Sequence, residues 1–127
     1  EVMGSSSIRS SVETARDSLS DKIAYLTEFL GGEYERQGVY PAWEYRKDSP
    51  LRDKMVEVYE EMYGQKPNVV AIHAGLECGI FSSKLEGLDC ISFGPQMHDI
   101  HTTKEVLSIA STERTWELLL KTLERLK

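Results

Sequence analysis

Basic charge is in short supply in this sequence, and what there is of it is scattered. Fifteen Lys and Arg stand against 21 Asp and Glu, a formal charge of −6 with a pI near 5.1. Nucleic-acid binding draws on a basic stripe that neutralises phosphates, so no nucleic-acid partner is expected. Long apolar runs are also missing. Nothing approaches the ~18 residues of a membrane-spanning helix or forms a signal-like apolar core, so neither membrane insertion nor secretion is expected. The only two cysteines, Cys78 and Cys90, lie in or beside apolar segments with no CxxC spacing. They read as buried free thiols of a reducing cytosol. Internal repeats and low-complexity tracts are absent, and the three histidines have no obvious set of carboxylate and histidine partners.

What is present is ordinary for a soluble globular chain: 127 residues, 40% hydrophobic and 28% charged, enough for one core. Residues 2–9 are short and Ser-rich and read as a strand ending in Arg9. Ser10-Ser11-Val12-Glu13 is a capping box opening a helix with Val12, Ala15, Leu19, Ile23, Leu26 and Leu30 as its apolar stripe. Gly31-Gly32 stops that helix, and residues 33–40 read as a solvent-facing strand near an edge. Such a strand, helix, strand unit is too small to be stable alone. The chain starts partway into a strand-like pattern, as a truncated sequence does.

Composition shifts at Pro41-Ala42-Trp43, which sets the expected boundary between residues 1–40 and 41–127. Ser49-Pro50 is an N-cap with proline at the first helical position, followed by Leu51, Met55, Val58, Tyr59 and Met62 on one face and Gly64 at the end. Residues 69–72 and 88–93 are apolar runs of the kind buried in a parallel or mixed sheet. Between them a turn leads to a short helix over 80–85. A last helix starts near Ser111, with Trp116, Leu119, Leu120, Leu123 and Leu126 as its stripe. The order α-β-α-β-α predicts one flank of a layered α/β domain. The second run empties into Gly94-Pro95 and then Gln96 to Glu105, a loop at the sheet edge where α/β folds hold ligands, and it resembles half a metal site.

Three groups of residues carry a family resemblance. Ala71-Ile72-His73-Ala74-Gly75-Leu76-Glu77-Cys78-Gly79 is one. Ile91-Ser92-Phe93-Gly94-Pro95 with His101-Thr102-Thr103-Lys104-Glu105 is another, and Ser5-Ser6-Ser7-Ile8-Arg9-Ser10-Ser11-Val12-Glu13 with Tyr40-Pro41-Ala42-Trp43 completes the set. In order and spacing they resemble the cytosolic aminoacyl-histidine dipeptidases, Xaa-His dipeptidases of the dizinc metallopeptidase family that also holds tripeptidases, carnosinases and aminoacylases. The likeness covers nearly all of this chain but only the last quarter or so of the family's length. It implies a C-terminal fragment. Residues 1–40 would close an α+β lid or dimerisation domain with a β-α-β piece, and 41–127 would be the returning part of a layered α/β zinc-peptidase domain.

The resemblance also implies site residues. His101 matches the last zinc ligand of the family, in a His-Thr-Thr-Lys-Glu stretch where relatives commonly carry His-Ser-Pro-Asp-Glu. Arg9 matches an arginine that reaches the substrate's terminal carboxylate, a task suited to the bidentate guanidinium fork. By itself Arg9 can also be read as a surface residue paired with Glu13. Glu77 faces the metal pocket in relatives, where it would help hold substrate. Alternatively it complements the dipole at a helix start. His73 either orients Glu77, touches substrate or packs. His98, three residues before His101, is read as incidental. Trp43 and Trp116 read as core or interlobe anchors.

The implied mechanism uses two zinc ions that supply both the nucleophile and the Lewis acid. The His-x-Asp motif, the bridging aspartate and the Glu-Glu pair of the family are not in this sequence. One histidine cannot hold a catalytic zinc, which takes about three protein ligands plus water. The chain alone is therefore expected to be inactive and not to retain zinc. Its expected partners are the missing N-terminal part of the same enzyme, a dipeptide substrate and further copies in a homo-oligomer, in the cytoplasm. The alternatives are a fragment of a related tripeptidase or aminoacylase-type hydrolase, or a non-enzymatic self-associating module. The apolar runs 69–72 and 88–93 would lack neighbours in the isolated chain, and unpaired apolar edges invite association.

Overall fold

The helix starts follow from side chains that satisfy backbone donors. The computed structural model describes residues 2–73 and 77–127. Its elements are α1 (Glu13–Phe29), α2 (Pro50–Tyr63), α3 (Glu77–Lys84), β1 (Met97–His98), β2 (Val106–Leu107) and α4 (Ile109–Arg125). At α2, Ser49 Oγ accepts from Arg52 N at 3.2 Å, Pro50 sits at the first helical position, and Gly64 ends the helix at φ 68°. Asp89 reinforces this start, its carboxylate accepting from Ser49 Oγ at 2.7 Å and Leu51 N at 2.9 Å. The capping box expected at α1 does not form. Val12 is the N-cap without a side-chain cap, Ser10 Oγ accepts from Val12 N, and the carboxylate of Glu44 accepts from Glu13 N at 3.3 Å.

By contact the chain falls into two compact units, Glu1–Lys47 with Val70–Leu88 and Asp48–Val69 with Asp89–Lys127. In the first, residues 33–44 run back along α1 through side chains. Ser20 Oγ and the Tyr34 hydroxyl are 2.6 Å apart, Arg36 pairs with Asp21 at 2.7 Å, and Arg16 donates to the Tyr40 carbonyl. The Arg16 guanidinium, hydrogen-bonded to Asp17 and Glu13, is held above its ordinary range chiefly by Asp17. Gly79 of α3 lies against the 41–43 backbone. A Cβ there would stand 2.9 Å from the Pro41 carbonyl oxygen and 3.4 Å from Trp43 Cβ. Replacing a helical glycine with alanine ordinarily gains about 1 kcal/mol. Here overlap with a backbone oxygen reverses the sign, and Gly79→Ala is expected to destabilise by about 1–2 kcal/mol. A urea midpoint that rises instead would show that this close approach is not made in solution.

In the second unit α2 packs on α4. The core is Met55, Val58 and Leu118, with Tyr59, Met62 and Ile91 packed against it. The expected stripe of α4 is not the face that is buried. Ser111, Leu118 and Thr122 are buried, whereas Trp116, Leu120 and Leu123 are 59%, 43% and 51% exposed. Small side chains permit the close approach, and their hydroxyls are satisfied within the helix: Thr115 Oγ1 donates to the Ser111 carbonyl and Thr122 Oγ1 to the Leu118 carbonyl, each at 2.8 Å. Trp116 is thus no core anchor in this chain.

The strands differ most from expectation. Among the described residues the one sheet is the antiparallel pair β1-β2, with Met97 opposite Leu107 and His98 opposite Val106. The runs 2–9, 33–40, 69–72 and 88–93 belong to no ladder. Val70, expected inside a sheet, is 63% exposed, and Val69 and Ile72 are exposed too. A parallel strand is held by neighbours on both edges and covered on both faces, and an apolar run cannot supply these itself. Among the described residues the fold is therefore mixed, helices with a small antiparallel sheet.

The surface carries the same message. A folded monomer of 14.4 kDa exposes roughly 6,800 Å², and two separate folded units of half that mass about 8,200 Å² together. This chain exposes 10358 Å², with Phe29 at 86% and many other large apolar side chains among the exposed. Both cysteines are half-buried. Among the described residues no helix is long and apolar enough to cross a membrane.

Candidate functional site

The stretch between β1 and β2 is a seven-residue loop that reverses the chain before α4. Its ends are anchored: Ser108 N donates to the Gln96 carbonyl at 3.0 Å, Gln96 N donates to Ser111 Oγ at 2.8 Å, and Ser108 Oγ caps α4. Inside the loop Asp99 and His101 take left-handed backbone conformations, φ 52° and 66°, and among the described residues they alone do so without being glycine. Such a conformation costs a non-glycine residue about 1–2 kcal/mol. Four bonds hold it. Thr102 N and Thr102 Oγ1 both donate to the Asp99 carbonyl, at 3.1 and 2.7 Å. Thr102 Oγ1 accepts from Lys104 N at 3.1 Å, and Glu105 Oε2 accepts from His101 N at 2.7 Å. The last is short and charge-assisted, the stronger kind.

This geometry leaves the His101 side chain exposed, and among the described residues no hydrogen bond or ion pair engages its imidazole. An exposed, unengaged imidazole on a braced backbone fits the role of one donor to a metal ion. It does not make a complete site: no group of three or more His, Cys, Asp or Glu that could hold a metal is found among the described residues. His98 lies on β1, not on a helical turn, with Nε2 3.4 Å from Gln96 Nε2.

The other candidates belong to the first compact unit. Arg9 is exposed in extended chain before α1, His73 is exposed, and Glu77 is exposed in the first turn of α3. No hydrogen bond or ion pair joins any two of the three among the described residues. Ala74, Gly75 and Leu76, the centre of the turn expected to face the pocket, lie outside the described residues. Sequence reading passed over Thr102 and Glu105 as structural parts of the loop. The spacing of Glu105 four residues after His101 was the available signal, since it lets a carboxylate reach back to a backbone N–H.

No family model matches the chain. The proteins it is similar to are dipeptidases, and the likeness runs over nearly its full length. It is 32% identical over 119 residues to the cytosol non-specific dipeptidase of Escherichia coli (strain K12), across 94% of this chain and 24% of that protein. Among solved structures, the aminoacylhistidine dipeptidase from Vibrio alginolyticus matches with a TM-score of 0.76 and 33% identity, over 91% of this chain and 24% of that one. The resemblance read from the sequence motifs is thus found again in whole-chain comparison and in the fold. The chain spans about a quarter of the length of both relatives, which is consistent with a C-terminal fragment.

Proposed function

We propose that this chain is the C-terminal part of a cytoplasmic, zinc-dependent dipeptidase that hydrolyses Xaa-His dipeptides. The observation that carries the reading is the asymmetry of the match, 94% of this chain against 24% of the relative. Residues 1–40 would end the lid or dimerisation domain, and 41–127 would complete the layered catalytic domain. His101 would contribute one ligand to a centre of two zinc ions whose other ligands lie in the remaining three quarters. Arg9 would bind the substrate carboxylate, and Glu77 and His73 would hold the substrate near it. Zinc, when bound, would supply the activated water and the polarisation of the scissile carbonyl. The residues of this chain would hold, orient and bind.

The apolar runs 69–72 and 88–93 and the outer face of α4 would be covered by the rest of the enzyme. In its absence the same surface favours self-association, the reading of the chain as a homo-oligomeric module. One experiment separates the two. The chain is assayed for zinc content and for Xaa-His hydrolysis alone and after co-refolding with the upstream part of the enzyme, with a dipeptide lacking histidine as comparison. Inactivity alone with hydrolysis on reassembly is expected, faster for Xaa-His. Tight zinc and turnover by the chain alone would overturn the proposal, and equal rates on both dipeptides would overturn its Xaa-His specificity.

A further inference from the structure

The loop that carries His101 is closed by backbone bonds and also by one bond from a side-chain carboxylate to a backbone N–H. A turn is closed by backbone N–H groups donating to backbone carbonyls, as Thr102 N and Glu105 N do here, toward Asp99 and Thr102. The His101 N–H is held instead by a side-chain carboxylate, Glu105 Oε2 at 2.7 Å. The residue so held has φ 66°, a conformation that its Cβ disfavours and that a loop would leave unless something retained it. The orientation of the Cα–Cβ bond follows from φ and ψ. A carboxylate that pins the His101 N–H therefore sets where the imidazole starts.

We infer that Glu105 is a positioning residue for His101: its carboxylate locks the left-handed backbone and thereby presents the imidazole as a metal donor. The inference rests on the proposed ligand role of His101. The role assigned to Glu105 is the bond from its Oε2 to the His101 N–H, not ligation of the metal. Asp99, the second left-handed residue, is retained by Thr102 through two bonds to its carbonyl, so the loop has one clasp for each strained position. Partners that orient a ligand typically alter metal affinity by 10- to 100-fold when removed.

The test has a readout that needs no metal. Selective 15N-histidine labelling of the 127-residue chain gives three backbone amide signals, from His73, His98 and His101. The His101 signal, identified by its loss in His101→Gln, is expected downfield. In Glu105→Ala it moves upfield and exchanges with solvent about tenfold faster. Glu105→Gln, which keeps an acceptor oxygen, retains most of the shift. In the reassembled enzyme Glu105→Ala weakens zinc binding by roughly 10- to 100-fold and Glu105→Gln restores most of it. An unmoved His101 amide in Glu105→Ala overturns the inference, as does a moved amide with unchanged zinc affinity. Unchanged zinc content in His101→Ala would be the separate failure of the ligand role itself, which the amide signal distinguishes because it is read without metal.

Discussion

In the proposed dipeptidase, reassembled from this chain and its upstream part, His101→Ala is expected to lower kcat/KM for a dipeptide substrate by more than about a hundredfold, beyond the usual cost of losing a residue that merely orients a ligand. The expectation follows from three features of one residue. The imidazole is exposed and unengaged among the described residues, its backbone is held in a left-handed conformation, and a charge-assisted bond retains it there. A solvent-facing loop histidine would need none of this bracing. The matched control is His98→Ala, three residues away on β1, which is also exposed and is expected to leave turnover and zinc content within about twofold, the scatter expected of a surface change. Equal effects of the two substitutions, or full zinc content in His101→Ala, would remove the ligand assignment.

The largest expected effect on stability is at Leu118. The core of the second unit consists of Met55, Val58 and Leu118, so each of them carries an unusual share of the apolar burial. Leu118→Ala opens a cavity between α2 and α4 and is expected to cost about 2–4 kcal/mol. With so small a core, that is a large part of what holds the two helices together. Leu120→Ala, two residues on, removes the same atoms from a side chain 43% exposed and is expected to cost less than about 1 kcal/mol in the isolated chain. Urea unfolding followed by far-UV circular dichroism measures both. In the reassembled enzyme the difference is expected to narrow if the outer face of α4 is covered there as proposed. A Leu120→Ala cost equal to that of Leu118→Ala in the isolated chain would mean that the outer face of α4 is already covered there.

Local signals were legible wherever a local interaction decides the structure. Ser49-Pro50 and Gly64 bounded α2 as read, and Gly31 takes the left-handed conformation expected after α1. Ser10 misled because its hydroxyl bonds Val12 N, two residues on, while Glu44, 31 residues away in sequence, reaches the first turn of α1. The stripe on α4 is apolar as read, but Trp116, Leu120 and Leu123 of it stay exposed. Hydrophobic period reports that a face will be buried and is silent about what buries it. Leu118 is buried because Met55 and Val58 of α2 cover it, a fact carried by residues some sixty positions away.

The sequence by itself determined where α2 begins and ends, the acidic balance, the likeness to dipeptidases and His101 as the residue to test. Each depends on side chains within a few positions of one another or on an ordered motif. Tertiary structure alone decided that the apolar runs 69–72 and 88–93 join no ladder, that Trp116, Leu120 and Leu123 of α4 stay exposed, and that a carboxylate at position 105 clasps the backbone of His101. A strand exists only through its neighbours, a buried face only through what covers it, and a strained backbone only through the group that holds it. These relations lie between residues and are not written in any one of them.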